Sequence, residues 1–320
     1  MQYSSGEDVR KVQTFVSRWV WKPAPFAALL TFTLLLTPGC GEEPATTAPE
    51  ASVDDSVAVV DAAPARPRPI EEVLREKLNL PVGGRFETFE EKVIAADLSG
   101  TPVKDLSAFA GTDIRSLDIR GTQVTDVTPL AKTKLEALFA EQTGVRDISP
   151  LSALPLHQLY LSQTPVTDLG PLAEMRLKEL NLVDTEVSDI QPLADAEIGT
   201  LWLRGTKVSD LSPLSDSSLV SLDVGETPIT DLSPIAKMRS LRRLHIADTD
   251  VTDLTPLKGL PLERLIFTPS SITKGLDAVR EMDTLTQLDT RFDDSGRTLR
   301  PEEFWKRYDS GDASPTAGGP

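Results

Sequence analysis

The chain has 320 residues, 39% of them hydrophobic but only 5% aromatic, and 49 acidic against 33 basic residues leave a formal net charge of −16. That balance argues against a nucleic-acid partner, because phosphate backbones are held by clustered Lys and Arg, and the length accommodates two compact domains or one repeat array with tails. A single cysteine, Cys40, excludes an internal disulfide framework, and two histidines, His157 and His245, leave little for a His-based metal or acid–base site.

At the start of the chain Arg10, Lys11, Arg18 and Lys22 precede an uncharged run, Pro23 to Gly39, whose apolar centre is Phe26 to Leu36. A basic start followed by a short apolar core is the pattern of an export signal, and the run falls short of the roughly 20 apolar residues of a membrane span. It closes on Thr37-Pro38-Gly39-Cys40, and the chain then turns polar. The segment resembles a bacterial lipoprotein signal, with Gly39 as the small residue before the cysteine and Thr37 where leucine is usual. The resemblance implies cleavage and lipidation of Cys40; the other readings are an uncleaved anchor or a free thiol. All of them place the mature domain outside the cytoplasm, at a bacterial cell envelope. Residues 41–69 are rich in Pro, Ala, Thr and acids without hydrophobic periodicity. Too little apolar surface is available there to offset the entropy of ordering, so the stretch reads as a disordered tether with a mean reach of about 30 Å. Residues 310–320 read as a second disordered tail.

Ile70, Val73, Leu74 and Leu78 lie on one face of an amphipathic helix, stopped by Pro81 and Gly83-Gly84. This helix, with Phe86 and Phe89, is assigned to an N-terminal cap over residues 70–92. From about residue 93 the sequence repeats itself. Asp105, Asp126, Asp147, Asp168, Asp189, Asp210 and Asp231 are each 21 residues apart, and Asp253 follows after 22. Thr101, Thr122, Thr143, Thr164, Thr185, Thr206, Thr227 and Thr249 keep the same beat, four residues earlier. Such a period is the signature of a stacked repeat. Alternate strand residues face opposite ways, so Leu201 and Leu203 point inward, Thr200, Trp202 and Arg204 point outward, and Val208, Leu211 and Leu214 fill the core from the return side. No unit buries this face alone; the stack does so collectively. The recurrent Thr, where the chain leaves the strand, is placed to bond a neighbouring turn's backbone. The recurrent Asp reads as a cap on the short turn that follows, with Pro tolerated inside that first turn. A calcium ladder is disfavoured, because one Asp per repeat supplies few of the 6–8 oxygens Ca²⁺ takes.

The pattern L-x-x-L-x-L-x-x-T-x-V-x-D-L-x-P-L resembles internalin-type leucine-rich repeats, with Thr in place of the usual Asn. It is similar also to the leucine-rich regions attached to some bacterial serine/threonine kinases, through Ile272 to Met282 followed by Leu285 and Leu288, and through Phe304, Trp305 and Tyr308 near the end. No phosphate-cradling glycine loop or kinase catalytic-loop motif occurs in the chain. The likeness implies an α/β leucine-rich-repeat right-handed solenoid over residues 93–292, with a parallel sheet on the concave face, short 3₁₀ or helical turns on the convex face, and a protein-binding role. Residues 293–309 form the expected C-terminal cap; Leu276, Val279 and Met282 give a helical face before it, and the three late aromatics pack over the last rung.

The repeat register places Asp97, Asp118, Phe139, Tyr160, Asn181, Trp202, Asp223, His245 and Ile266 in one outward-facing column. Phe139, Tyr160 and Trp202 then form an aromatic stripe, framed by Arg120, Glu141 and Arg204. Exposing scarce aromatics on neighbouring rungs marks a binding face, and aromatic and Arg residues are the usual anchors of protein interfaces. Phe139, Tyr160, Trp202, Arg120 and Arg204 are therefore the partner-binding residues expected. The alternative is that they only cover the sheet. His245 reads as a solvated surface residue, and Asp97 with Asp118 as neighbouring surface acids rather than a catalytic pair. No catalytic residue, metal ligand or cofactor is called for. The expected function is a lipid-anchored extracytoplasmic module that binds a protein partner; a structural envelope spacer and a carbohydrate-binding surface are the rivals.

Overall fold

The computed structural model describes residues 68–80, 82–291 and 298–311. The export segment with Cys40, the tether up to residue 67 and residues 312–320 lie outside the described residues.

Each coil contributes a short strand to one open sheet whose spatial order is the sequence order. The strands are β1 (Arg85–Phe89), β2 (Lys92–Asp97), β3 (Ser116–Asp118), β4 (Ala137–Phe139), β5 (Gln158–Tyr160), β6 (Arg176–Asn181), β7 (Glu197–Trp202), β8 (Ser221–Asp223), β9 (Arg243–Ile246), β10 (Arg264–Phe267) and β11 (Gln287–Asp289). From β2 onward neighbours pair in parallel, and Leu117, Leu138, Leu159, Leu180, Leu201 and Leu222 face one another in turn. Equivalent repeat positions therefore stack without stagger, as a leucine-rich-repeat solenoid requires. The one 22-residue repeat keeps this register, since Leu222 pairs with Leu244. Its extra residue lies in the turn after Ile235, on the surface, where insertions cost little.

Opposite the sheet the chain returns through single 3₁₀ turns such as Ser149–Leu151, Gln191–Leu193 and Ser212–Leu214. Between the two sides Leu201, Leu203, Val208, Leu211 and Leu214 are at most 1% exposed, so the inward pattern of the repeat is the observed core. Each 3₁₀ turn is entered through the recurrent Asp. Asp147, Asp168, Asp189 and Asp210 each accept, at 2.8 Å, the N–H of the turn's first residue two positions on. The formal N-cap position is the residue between them, so this is an Asx turn feeding the 3₁₀ turn. The hydrogen bonds hold Asp126, Asp147, Asp210, Asp231 and Asp253 below the usual carboxylate range.

The recurrent Thr acts within its own coil and not on a neighbouring one. Its hydroxyl donates to the carbonyl three residues back at 2.5–2.7 Å in all eight copies from Thr101 to Thr249. The backbone before it is left-handed, which brings that hydroxyl under the carbonyl. The left-handed position is Gly100, Gly121 and Gly205 in three coils, but Gln142, Gln163, Asp184, Glu226 and Asp248 in five, with φ of 55–57°. Non-glycine residues there cost about 1–2 kcal/mol each. Three of them offset part of it through a ladder across rungs: Gln142 donates to Gln163 at 2.8 Å, and Gln163 to Asp184 at 3.2 Å.

The two ends differ. Helix α1 (Ile70–Lys77) buries Leu74, with Leu78 and Leu80 beyond it, and β1 turns back antiparallel onto β2. Phe86 packs partly on the core beneath Arg75, but Phe89, expected in the cap, is 43% exposed because it ends an edge strand. At the far end α2 (Leu276–Arg280) buries Val279, and α3 (Pro301–Asp309) buries Phe304 and Trp305. The Phe304 ring lies 5.7 Å from Phe267 of β10, and Arg280 stacks on Trp305 at 4.4 Å while pairing with Asp309 at 2.8 Å. No helix among the described residues is long and apolar enough to cross a membrane.

Candidate functional site

The outer face of the sheet carries three columns, because residues two apart share a face. The central column pairs in the order Asp97, Asp118, Phe139, Tyr160, Asn181, Trp202, Asp223, His245, Ile266, Asp289. One flank runs Ala137, Gln158, Glu179, Thr200. The other runs Arg120, Glu141, Ser162, Val183, Arg204, joined by the continuing backbone ladder.

Phe139, Tyr160 and Trp202 are each half-buried and touch in sequence. Ring centroids are 5.1 Å apart for Phe139–Tyr160 and 5.9 Å for Tyr160–Trp202, with the planes tilted by 42° and 41°. Tyr160 and Trp202 stand two rungs apart, about 10 Å along the sheet, so their rings lean together over Asn181. That residue leaves the space open, since its Oδ1 turns down to accept the Val183 N–H at 3.0 Å. The result is one continuous aromatic surface.

The Gln158 flank is internally satisfied. Tyr160 Oη donates to Glu179 Oε2, and Gln158 Nε2 donates to the same oxygen at 2.9 Å. Burial first, and the Glu179 carboxylate second, push the Tyr160 phenol far above its usual range. Glu179 is a member of this site that the column pattern alone does not single out.

The opposite flank is not satisfied. Arg120 is committed: its Nε donates to both Asp118 oxygens at 3.0 Å, and its guanidinium lies 5.9 Å from the Phe139 ring. Arg204, three rungs along from Glu141, is half-buried and makes no side-chain hydrogen bond or ion pair with any described residue. Glu141 is more unusual. Its Oε2 is buried without a hydrogen-bond partner. Desolvation pushes its carboxyl up to about 7, against the pull of its own backbone N–H and of Arg120, with Asp118 adding to the rise.

Asp97 is held by Arg85 at 3.1 Å and by Ser99, so the two neighbouring acids, Asp97 and Asp118, have separate partners. His245 is not the solvated residue expected; it is 8% exposed. Its Nδ1 lies 2.8 Å from Asp223 Oδ1 without hydrogen-bond alignment, and its ring occupies the space over Gly225, where a Cβ would come within 2.9 Å of Cε1. Ile266, also expected outside, is 3% exposed. Among the described residues no group of three or more His, Cys, Asp or Glu side chains is placed to hold a metal ion.

Fold and face together define a leucine-rich-repeat solenoid that displays a contiguous aromatic stripe. No protein-family model matches the chain, and no curated protein matches it. Among solved structures it is similar to internalin C2 of Listeria monocytogenes, 22% identical, over 64% of this chain and 99% of that one, with a TM-score of 0.49. It is similar also to a second internalin of that organism, internalin F, at 20% identity over 70% and 91% of the two chains, with a TM-score of 0.39. A leucine-rich-repeat protein of Leptospira interrogans is 16% identical over 59% of this chain and 58% of that one, with a TM-score of 0.44. Each is a likeness of fold.

Proposed function

We propose that this chain is a binding module that engages a protein partner through the outer face of its sheet, tethered to the bacterial cell envelope by a lipid on Cys40. The observation that carries the reading is the stripe of Phe139, Tyr160 and Trp202, three scarce aromatics gathered into one contacting surface on a rigid sheet. A pre-organised face loses little entropy on association, and large aromatics flanked by Arg are the side chains that dominate interface energies. Arg204 is the flanking cation free to meet a partner; Arg120 supports the stripe by holding Phe139 from its salt bridge with Asp118.

A sugar ligand fits this face less well. Sugar hydroxyls need polar groups beside the rings, and there the Tyr160 hydroxyl and one Gln158 N–H already go to Glu179 while the Asn181 Oδ1 is held by Val183. The test is a crosslinking capture from native envelope extract with the full-length chain, wild type against Tyr160→Ala/Trp202→Ala, followed by rebinding of the purified captured protein. A protein that rebinds wild type and is lost from the folded double variant supports the reading. Identical capture by both removes the stripe from consideration and leaves the spacer role. The anchor has its own test: metabolic labelling with an alkyne fatty acid marks wild type and not Cys40→Ala if Cys40 carries the lipid, and marks neither if it does not.

A further inference from the structure

The flank beside the stripe holds two charges that the fold leaves uncompensated, and they have opposite sign. Glu141 stands at one end, with Oε2 buried and lacking any donor. Arg204 stands at the other, half-buried and unpaired among the described residues. Between them the same column carries only Ser162 and Val183, and Arg120, one rung before Glu141, acts on that carboxylate through space while its hydrogen bonds go to Asp118. Three rungs at about 4.8 Å put the two positions about 14 Å apart. Tyr160 and Trp202 lie alongside that interval, one strand position away.

Contrast with the rest of the face gives this pair its meaning. Asp97 is paired with Arg85, Asp118 with Arg120, and Glu179 accepts from both Tyr160 and Gln158. Next to the stripe the other outer-face charges are engaged, and only these two are left open there. An unpaired buried charge is costly unless something completes it, and opposite charges across an interface fix register and orientation.

We propose that the site reads an oriented charge pair: the partner's contact surface presents a basic side chain to Glu141 and a carboxylate to Arg204, about 14 Å apart, with an apolar side chain between them on Tyr160 and Trp202. This deepens the protein-binding reading above and rests on it. Once the Glu141 carboxyl turns outward from its covered position, the basic group supplies the donor that Oε2 lacks and lies near the faces of Phe139 and Tyr160, which attract cations. The carboxylate pairs with Arg204 through the guanidinium fork. In an extended partner segment, side chains on one face recur at every second residue, about 6.8 Å apart. The basic, apolar and acidic groups then fall at i, i+2 and i+4. The arrangement gives the partner a direction along the solenoid, which three aromatic rings alone do not provide.

The experiment uses a random linear-peptide display library panned at pH 8 against the full-length chain, with peptides kept only if Tyr160→Ala/Trp202→Ala loses them. Each such peptide is then measured against Glu141→Gln and Arg204→Gln, and against the charge-swapped Glu141→Arg/Arg204→Glu. The expected result is enrichment of peptides carrying one basic and one acidic residue astride an apolar one, with each single variant weakening binding about tenfold. Replacing the peptide's basic residue by norleucine abolishes the effect of Glu141→Gln and leaves that of Arg204→Gln; replacing its acid by glutamine does the reverse. Exchanging the two peptide charges moves binding from wild type to the charge-swapped variant. Stripe-dependent peptides without this charge pattern, or without this coupling, overturn the inference while the stripe remains the binding surface. Recovery of no stripe-dependent peptide counts against both.

Discussion

Replacing Glu141 by Gln changes one atom beside the aromatic stripe and removes a charge that the fold holds at a cost. Burial raises the carboxyl from 4.5 to about 7, so the folded chain binds this proton more tightly than the unfolded chain does. Stability from this group is therefore fully present below about pH 4.5 and is lost as pH rises through 7. At about 1.36 kcal/mol per pH unit the interval amounts to about 3 kcal/mol, and residual solvent around the half-buried side chain reduces the expected value to about 2–3 kcal/mol. Glutamine cannot ionise, so Glu141→Gln matches wild type near pH 4.5 and exceeds it by that amount at pH 8. Urea unfolding followed by far-ultraviolet circular dichroism at pH 4.5, 6, 7 and 8 reads the difference, and subtracting the two proteins cancels every other titrating group. A difference that stays flat with pH, or a variant less stable than wild type at pH 8, would refute the reasoning about Asp118, Arg120 and Tyr160 as the surroundings of this carboxylate. If the variant gains stability and also binds stripe-dependent peptides less tightly, Glu141 serves recognition at the expense of the fold.

Other perturbations probe the repeat itself. Leu159→Ala, at a site with no exposed surface, lowers the unfolding free energy by about 2–5 kcal/mol; a loss under 1 kcal/mol in urea melts would mean the stack is loosely packed. Thr185→Val keeps the shape but deletes the buried 2.7 Å bond to the Leu182 carbonyl, for a loss of about 1 kcal/mol, and no change would show the hydroxyl to be dispensable. Gly205→Ala forces a Cβ onto a left-handed residue and within 2.4 Å of Asp184 Oδ1, so a decrease of at least about 1 kcal/mol is expected, with a neutral result excluding that geometry. The capping Asp residues have folded values below their unfolded ones. Their contribution is present above the ordinary carboxylate range and lost as pH falls through it. Asp147→Asn/Asp210→Asn keeps the acceptor and flattens the acid limb of the stability profile, and an unchanged acid limb would count against the caps.

The period was readable at once, and so was everything that follows from period alone. Twenty-one residues from Leu159 to Leu180 is both a spacing in the chain and a pairing in the sheet, because each coil makes one turn. Any two residues one repeat apart are therefore neighbours in space. The column holding Phe139, Tyr160 and Trp202, the buried Leu and Val positions and the Asp that enters each 3₁₀ turn all follow from that identity. They do not depend on how any side chain turns.

What the period could not carry is the choice each side chain makes among its neighbours. Asn181 interrupts the stripe in sequence yet not in space, because its amide prefers the Val183 N–H and lets Tyr160 reach Trp202. His245 is covered because Gly225, next to it on the following column, has no side chain. Arg120 and Arg204 occupy the same repeat position, yet Arg120 finds Asp118 two residues back on its own rung while Arg204 follows Trp202 and makes no ion pair with any described residue. Glu141 is desolvated in the folded face, with Arg120 opposing and Asp118 adding to the rise of its carboxyl, a balance that the repeat position does not show. Register is set by a covalent interval and survives translation into three dimensions; partnership is set by rotamers and local competition for donors, and only the folded face decides it.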